Sequence, residues 1–441
     1  MVRMTPLQHI HTTQKSINKE HALLGLESQR LVNSNANRDL APDANVLQYL
    51  FPNSIVESTT ILSQTFQTCT FIAHVLDESD QPARRDIVVR LEVLEDEAFR
   101  LRTVSALQRV AALAIPDLVP KMERTGTVRM EDGIEVEFSL TALIPDSVTL
   151  ESVWDNLSDN EQSAIMAELV VATGKLYSLN YDNKQVRLLL KDSKFVLEGP
   201  NSTESTTSAT STSLRLALGS AKIGYAKDTT DLLRLLVESL NKNCKVPSAS
   251  IQPSNNGISV ISANGFGRVD LSNEELAAIS DDTVFCHCNL EPRNILVRRS
   301  TSPDSSRSYE VAAIIDWEMA GIFPRGYEYA MKDTLLGASN QSFTWYSLFR
   351  QKVVPDIPAS TPCARFMHAI DIISNSSEKR LLDGSNVGAL VQQRWLAREQ
   401  LKWPSGVISG WMRKPGVVVS RFTREDDEGL EQEVLRELGM I

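Results

Sequence analysis

Residues 283–329 hold the polar groups whose types and spacing could do chemistry. They read TVFCHCNLEPRNILV, a Ser-rich gap, then YEVAAIIDWEMAGIFPRGYEY. The pattern is an apolar strand, a polar loop, a second strand, a loop, a third strand and a polar turn. His287, Asn294 and Asp316 stand out in it. Asn294 opens one arm of an apparent hairpin (295–297) and Asp316 ends the other (311–315), so pairing the arms brings both side chains to one end of the sheet. An Asn and an Asp on short, stiff strands can share a divalent cation. Mg²⁺ wants hard oxygen ligands and takes one or two carboxylates together with substrate phosphates.

The run His287-Cys288-Asn289-Leu290-Glu291-Pro292-Arg293-Asn294, followed by Ile314-Ile315-Asp316-Trp317-Glu318, resembles the catalytic and metal loops of the aminoglycoside phosphotransferase and choline kinase families. Their shared pattern is H-x-D-x-x-P-x-N and then I-I-D-W-E, and the chain looks most like the fungal branch of that superfamily. Every fixed place matches except one: Asn289 stands where those families carry the catalytic Asp. The resemblance implies an α+β, protein-kinase-like two-lobed fold, with a small β-rich N-lobe and a large, mainly helical C-lobe. It implies ATP and Mg²⁺ as cofactors and a hydroxyl of a small-molecule acceptor as the phosphate's destination. In that reading Asn294 and Asp316 bind Mg²⁺, Arg90 neutralises the phosphates, and His287 braces the loop. Arg293 meets phosphate or a loop carbonyl, and position 289 orients the acceptor hydroxyl.

Phosphoryl transfer has a loose transition state, so the protein mainly positions reactants and stabilises charge. Asn289 can orient a hydroxyl by hydrogen bonding but cannot take its proton. Loss of a general base costs about 10²–10⁴ in rate. The chain is therefore a slow kinase, a kinase with a relocated base, or a catalytically inactive pseudokinase that binds nucleotide or a protein partner. Glu291 is the candidate relocated base, because residues i and i+2 of an extended backbone face the same side.

The elements that must position these groups begin with strand-like runs at 61–75 and 86–92, the second carrying Arg90 near its end. Helical spacing follows over 95–114, and Gly133 marks a hairpin turn between 127–130 and 136–143. Strand, strand, strand, helix, strand, strand is the small lobe of a kinase-like fold. Where that fold has a Gly-rich phosphate loop, residues 62–70 contain no glycine, and Ser63, Thr65 and Thr68 offer hydroxyls instead. Glu97 is the expected helix partner of Arg90, with Glu95 close behind; protein kinases pair a strand Lys to a helix Glu in this way. The Pro-containing turn at 143–150 falls where the resembling families have their hinge. Capping boxes start helices at Ser158 and Ser272, and Gly265-Phe266-Gly267 reads as a hairpin or loop rather than a phosphate cradle. Beyond Tyr329, helical spacing recurs over 345–352, 364–373, 387–400 and 427–438. The expected division is an arm at 1–50, an N-lobe at 51–145 and a C-lobe at 146–441 with a Ser/Thr-rich insertion near 196–216. That insertion is too polar to bury a core.

A chain of 441 residues is long enough for a two-lobed unit with a substantial core. Its net charge of −11 argues against nucleic acid as a partner, since a basic face is needed to displace phosphate counterions. No apolar run reaches the length of a membrane span, so no membrane partner is expected. The first thirty residues show no apolar signal core, and five irregularly spaced cysteines suit a reducing compartment, so the expected location is cytoplasmic. Cys286 and Cys288 flank His287, but alternate strand residues point to opposite faces. A structural reading of these thiols is preferred to a metal cluster.

Overall fold

The computed structural model describes residues 39–77, 84–94, 100–179, 184–190, 196–197, 215–242, 247–263, 265–300, 308–338, 340–354, 357, 360–382, 387–402, 410–416, 422 and 424–441. The short helical pattern at 23–31, Glu95, Glu97, Cys244 and the Ser/Thr run 201–213 lie outside the described residues. The chain forms two compact units. The first draws on Glu27–Glu161 and Pro292–Glu318, the second on Gln162–Glu291 and Met319–Ile441. One is β-rich and the other helix-rich, which is the α+β, two-lobed, protein-kinase-like organisation expected from the sequence.

The first unit is built on an antiparallel sheet of β1 (Ser54–Gln64), β2 (Thr68–Asp77), β3 (Arg84–Val93), β4 (Met122–Arg129) and β5 (Glu135–Ala142), in the order β1-β2-β3-β5-β4. Period-two patterning puts Cys69, Phe71, Ala73 and Val75 of β2 on one buried face, beside Ile87, Val89 and Leu91 of β3. Their register is set by Phe71↔Val89 and Ala73↔Ile87. A short helix, α1 (Ala44–Leu50), adds Val46 and Leu50 to that core. Arg124 fixes its end by donating to the carbonyls of Tyr49 at 3.0 Å and Leu50 at 2.8 Å. The helix between β3 and β4, α2 (Arg100–Ala114), buries Leu101, Val104, Leu107 and Val110, an i, i+3 stripe. Glu137 Oε2 of β5 accepts the Leu101 N–H at 2.8 Å, satisfying one donor at the start of α2.

The same unit holds a second, three-stranded sheet in which the strand Ile295–Arg299 lies between Ser147–Thr149 and Tyr309–Ile314, both antiparallel to it. The helix Asp159–Tyr177 opens on the expected capping box. Ser158 N–H donates to Glu161 Oε2 at 2.9 Å, and Glu161 N–H returns to Ser158 Oγ at 3.4 Å.

In the second unit the strand Thr283–Cys286 pairs antiparallel with Gly321–Pro324, extended by Leu218–Ser220 and Gly224–Ala226. Gly321 is obligatory there, because a Cβ would lie 1.9 Å from the Gly219 carbonyl oxygen. A three-stranded meander, Ala249–Ser254, Gly257–Ser262 and Arg268–Ser272, was not legible in the sequence. The Gly265-Phe266-Gly267 run forms its second connection. Helices Thr229–Asn241, Asn273–Asp281, Gly326–Leu335, Phe343–Lys352, Pro362–Leu382, Val387–Arg398 and Arg424–Glu437 supply the rest. Ser272 opens the second of them with the expected capping box. In the last, Val434 is buried and Leu430 packs on the Leu336, Tyr346, Trp395 and Leu401 cluster. Among the described residues no helix is long and apolar enough to cross a membrane.

Candidate functional site

The hairpin of the first unit positions two of the candidate residues. Ile295 faces Ile314 in the ladder, and Ile315 N–H donates to the Asn294 carbonyl at 2.9 Å. Asn294 and Asp316 therefore flank the same end of the sheet, as the spacing predicts. Asn294 closes a single 3₁₀ turn, Pro292–Asn294, and is buried. Asp316 is half-buried with φ +63°, in the left-handed region that a non-glycine residue enters at a cost. The turn after it is closed by Trp317, whose Nε1–H donates to the Ile314 carbonyl at 3.0 Å. One amide oxygen and one carboxylate are hard donors and fit a Mg²⁺ ion that keeps water and phosphate ligands. Among the described residues no group of three His, Cys, Asp or Glu is disposed to hold a metal.

Arg90 lies on β3 as expected. Glu97 is outside the described residues. Two other carboxylates bracket the guanidinium: Glu92 Oε1 takes Nε at 3.0 Å and Nη2 at 2.8 Å, and Glu318 Oε1 takes Nη1. Arg100, first residue of α2, closes the ring. Its Nε donates to Glu92 Oε2 at 3.0 Å, its Nη2 to Glu92 Oε1, and its Nη1 to Glu318 Oε2 at 3.1 Å. Burial alone would lower the pKa of Arg90; Glu318 and Glu92 outweigh it and push it up, with a smaller contribution from Asp316.

The β1–β2 turn at 65–67 occupies the place of a Gly-rich loop. Thr65 Oγ1 accepts the N–H groups of Gln67 at 3.2 Å and Thr68 at 3.0 Å and meets Thr68 Oγ1 at 3.0 Å. Two of the hydroxyls expected to serve phosphate thus cap the turn itself.

In the second unit the loop after Thr283–Cys286 is braced from several sides. Asn289 N–H donates to His287 Nδ1 at 3.2 Å, which leaves the imidazole proton on Nε2. Glu291 N–H donates to the Asn289 carbonyl at 2.9 Å. Cys288, at φ +60°, donates its N–H to Glu328 Oε1 at 3.1 Å, while Tyr177 OH donates to Glu328 Oε2 at 2.9 Å. Burial raises the pKa of Glu328; Lys332, Tyr177 and the Cys288 N–H counter it. Lys332 Nζ donates to the Leu290 carbonyl and to Glu291 Oε1, the latter at 2.6 Å. Cys286 and Cys288 are buried free thiols whose pKa burial pushes up.

His287, Asn289 and Glu291 are thus on one hydrogen-bonded loop, and all three are buried. Glu291, the candidate relocated base, is engaged in an ion pair with Lys332 in which both side chains are almost wholly out of solvent. Arg293 is likewise buried, at 2 % exposure. Sequence reasoning missed Glu318, Glu92, Arg100, Glu328 and Lys332. Four had a signal: Glu318 lies inside the quoted motif, Glu92 shares a strand face with Arg90, and Glu328 and Lys332 are four apart on one helix face.

No protein-family model matches the chain, and no curated protein does. Several solved structures are distantly similar. The GDP complex of wild-type aminoglycoside 2'-phosphotransferase-IIIa shares 11% identity at a TM-score of 0.41, over 80% of this chain and 96% of that one. The streptomycin–ATP–APH(2")-IIa ternary complex shares 12% at 0.38, over 90% and 97%. Amicoumacin kinase hAmiN, in complex with AMP-PNP, Ca²⁺ and Ami, shares 9% at 0.35, over 90% and 93%.

Proposed function

We propose that this chain binds Mg²⁺-ATP at Asn294 and Asp316 and transfers a phosphoryl group to a hydroxyl of a small molecule, slowly. The observation that carries the reading is the hairpin. It holds an amide and a carboxylate at one end of one sheet, and Asn294 follows Asn289 by five residues in the sequence. Asp316 and Asn294 supply oxygen ligands. Magnesium, when bound, would neutralise the phosphates. Arg90 and Arg100 place two guanidinium groups where negative charge must be stabilised. His287 fixes the Asn289 backbone, and Asn289 orients the acceptor hydroxyl without accepting its proton.

A second reading, nucleotide binding without turnover, is favoured by one feature: Glu291 is held by Lys332, so the nearest alternative carboxylate is committed to the fold. The deciding experiment is a Mg²⁺-ATP binding isotherm for wild type and Asp316→Ala, followed by a metabolite screen for phosphate transfer. Binding that loses its Mg²⁺ dependence in Asp316→Ala is expected under either reading. Phosphate transfer in the screen selects the first, and its absence selects the second. Mg²⁺-ATP affinity unchanged in a folded Asp316→Ala would sink both.

A further inference from the structure

Arg90, Glu92, Arg100 and Glu318 form a closed ring of alternating charge. Each carboxylate bridges both guanidinium groups. The two cations come from β3 and the first residue of α2. The two anions differ in how they are held. Glu92 sits two residues from Arg90 in a strand paired on both sides, so the sheet fixes it. Glu318 projects from a single 3₁₀ turn, Trp317–Met319, only two residues after Asp316.

A carboxylate bridging two guanidiniums presents negative charge and a pair of acceptor oxygens, as a bound phosphate does. With Glu318 removed, two arginines would share one counter-ion and leave an oxyanion site. We propose that Glu318 is a built-in phosphate mimic: it occupies the faces of Arg90 and Arg100 that an oligophosphate takes, and an entering oligophosphate must displace it. The proposal rests on the phosphotransferase reading and adds to it a competing side chain that weakens nucleotide affinity. It makes Glu318 a positioning residue for the two arginines, with both guanidiniums silent toward anions until the turn at 317–319 gives way. The ligand class is an oligophosphate chain, free or as part of a nucleoside triphosphate.

The test uses sodium tripolyphosphate and ATP, titrated calorimetrically in EDTA into the full chain as wild type, Glu318→Gln and Glu318→Asp, with thermal midpoints to confirm folding. Glu318→Gln keeps the shape and loses the charge, so its affinity for tripolyphosphate should rise at least about tenfold. Its salt dependence should also steepen, because a net positive site has been uncovered. Glu318→Asp keeps the charge and should stay near wild type, a distinction that a purely structural role for Glu318 would not produce. Unchanged or weaker affinity in folded Glu318→Gln overturns the proposal, as does absence of tripolyphosphate binding in both proteins. Should Glu318→Gln not fold, amide hydrogen exchange on wild type saturated with tripolyphosphate decides. Faster exchange across 317–319 is expected, and unchanged exchange overturns the idea. Failure of the phosphotransferase reading shows elsewhere, in a Mg²⁺-ATP affinity indifferent to Asp316→Ala.

Discussion

Under the proposed phosphotransfer, position 289 presents an amide where transfer to a hydroxyl calls for a carboxylate. Asn289→Asp should raise any transfer activity by roughly 10²-fold or more, since a positioned base is worth about 10²–10⁴. The measurement is the initial rate with the acceptor identified in the screen. No gain, with ATP still bound, would place the defect in the acceptor site. Glu291 tests a different quantity. Its carboxylate pairs with Lys332 out of contact with solvent, and breaking one side of such a pair costs about 3–5 kcal/mol. Glu291→Gln should therefore lower the denaturant midpoint, and the double change Glu291→Leu with Lys332→Met should recover much of it. A Glu291→Gln protein of wild-type stability that loses only its rate would instead identify Glu291 as the base.

The helix Gly326–Leu335 organises the loop 287–291. From one face it sends Glu328 to the Cys288 N–H and Lys332 to the Leu290 carbonyl. The loop needs this support because Cys288 sits at positive φ, where the backbone is held only if its surroundings over-determine it. Glu328→Ala should cost about 1–3 kcal/mol, the penalty for a buried donor left unmet, and should speed hydrogen exchange at the Cys288 amide. Tyr177→Phe removes one hydrogen bond to the same carboxylate and should cost less. Equal protection at Cys288 in wild type and Glu328→Ala would show that the helix does not brace the loop.

For the molecule as a whole, pH dependence of stability can be traced to a buried acid. Asp333 accepts from Tyr346 OH and faces Arg350 Nη1 at 3.6 Å, yet burial pushes its pKa up to about 6. Tyr346 OH also receives the Trp411 N–H at 2.7 Å, so the segment 410–416 is fastened to the same group. A folded-state pKa above the unfolded one means that the folded protein holds the proton more tightly. Asp333 thus favours folding most at low pH. Stability falls as pH rises from the ordinary aspartate range through about 6, where the folded-state carboxyl finally ionises. Asp333→Asn removes this titration while keeping a partner for Tyr346. Its denaturation midpoint should gain on wild type between about pH 4 and pH 6 and run parallel above that. Midpoints that track wild type throughout would refute the assignment.

Local pattern determined a good deal here. Period-two runs rich in Thr, Phe and Ile gave β1 to β3, since the core face of a strand must alternate. The capping residues Ser158 and Ser272 marked helix starts because their hydroxyls and the Glu three residues on satisfy local donors. The Asn294 and Asp316 spacing placed both at one hairpin end, since antiparallel pairing converts equal offsets along the chain into proximity. The charges escaped such reasoning. Glu92 and Glu318 are 226 residues apart in the sequence, and only the folding of the hairpin with the first sheet into one unit sets both against Arg90 and Arg100. Glu328 and Lys332 have the spacing of a solvated helix pair, and the sequence does not say which way that face turns. Its burial was decided by the packing that brings the loop 287–291 against it. Partners far apart in sequence and burial are collective outcomes of the chain's apolar surface leaving water, so tertiary structure alone decided which protein groups Arg90 and Glu291 engage.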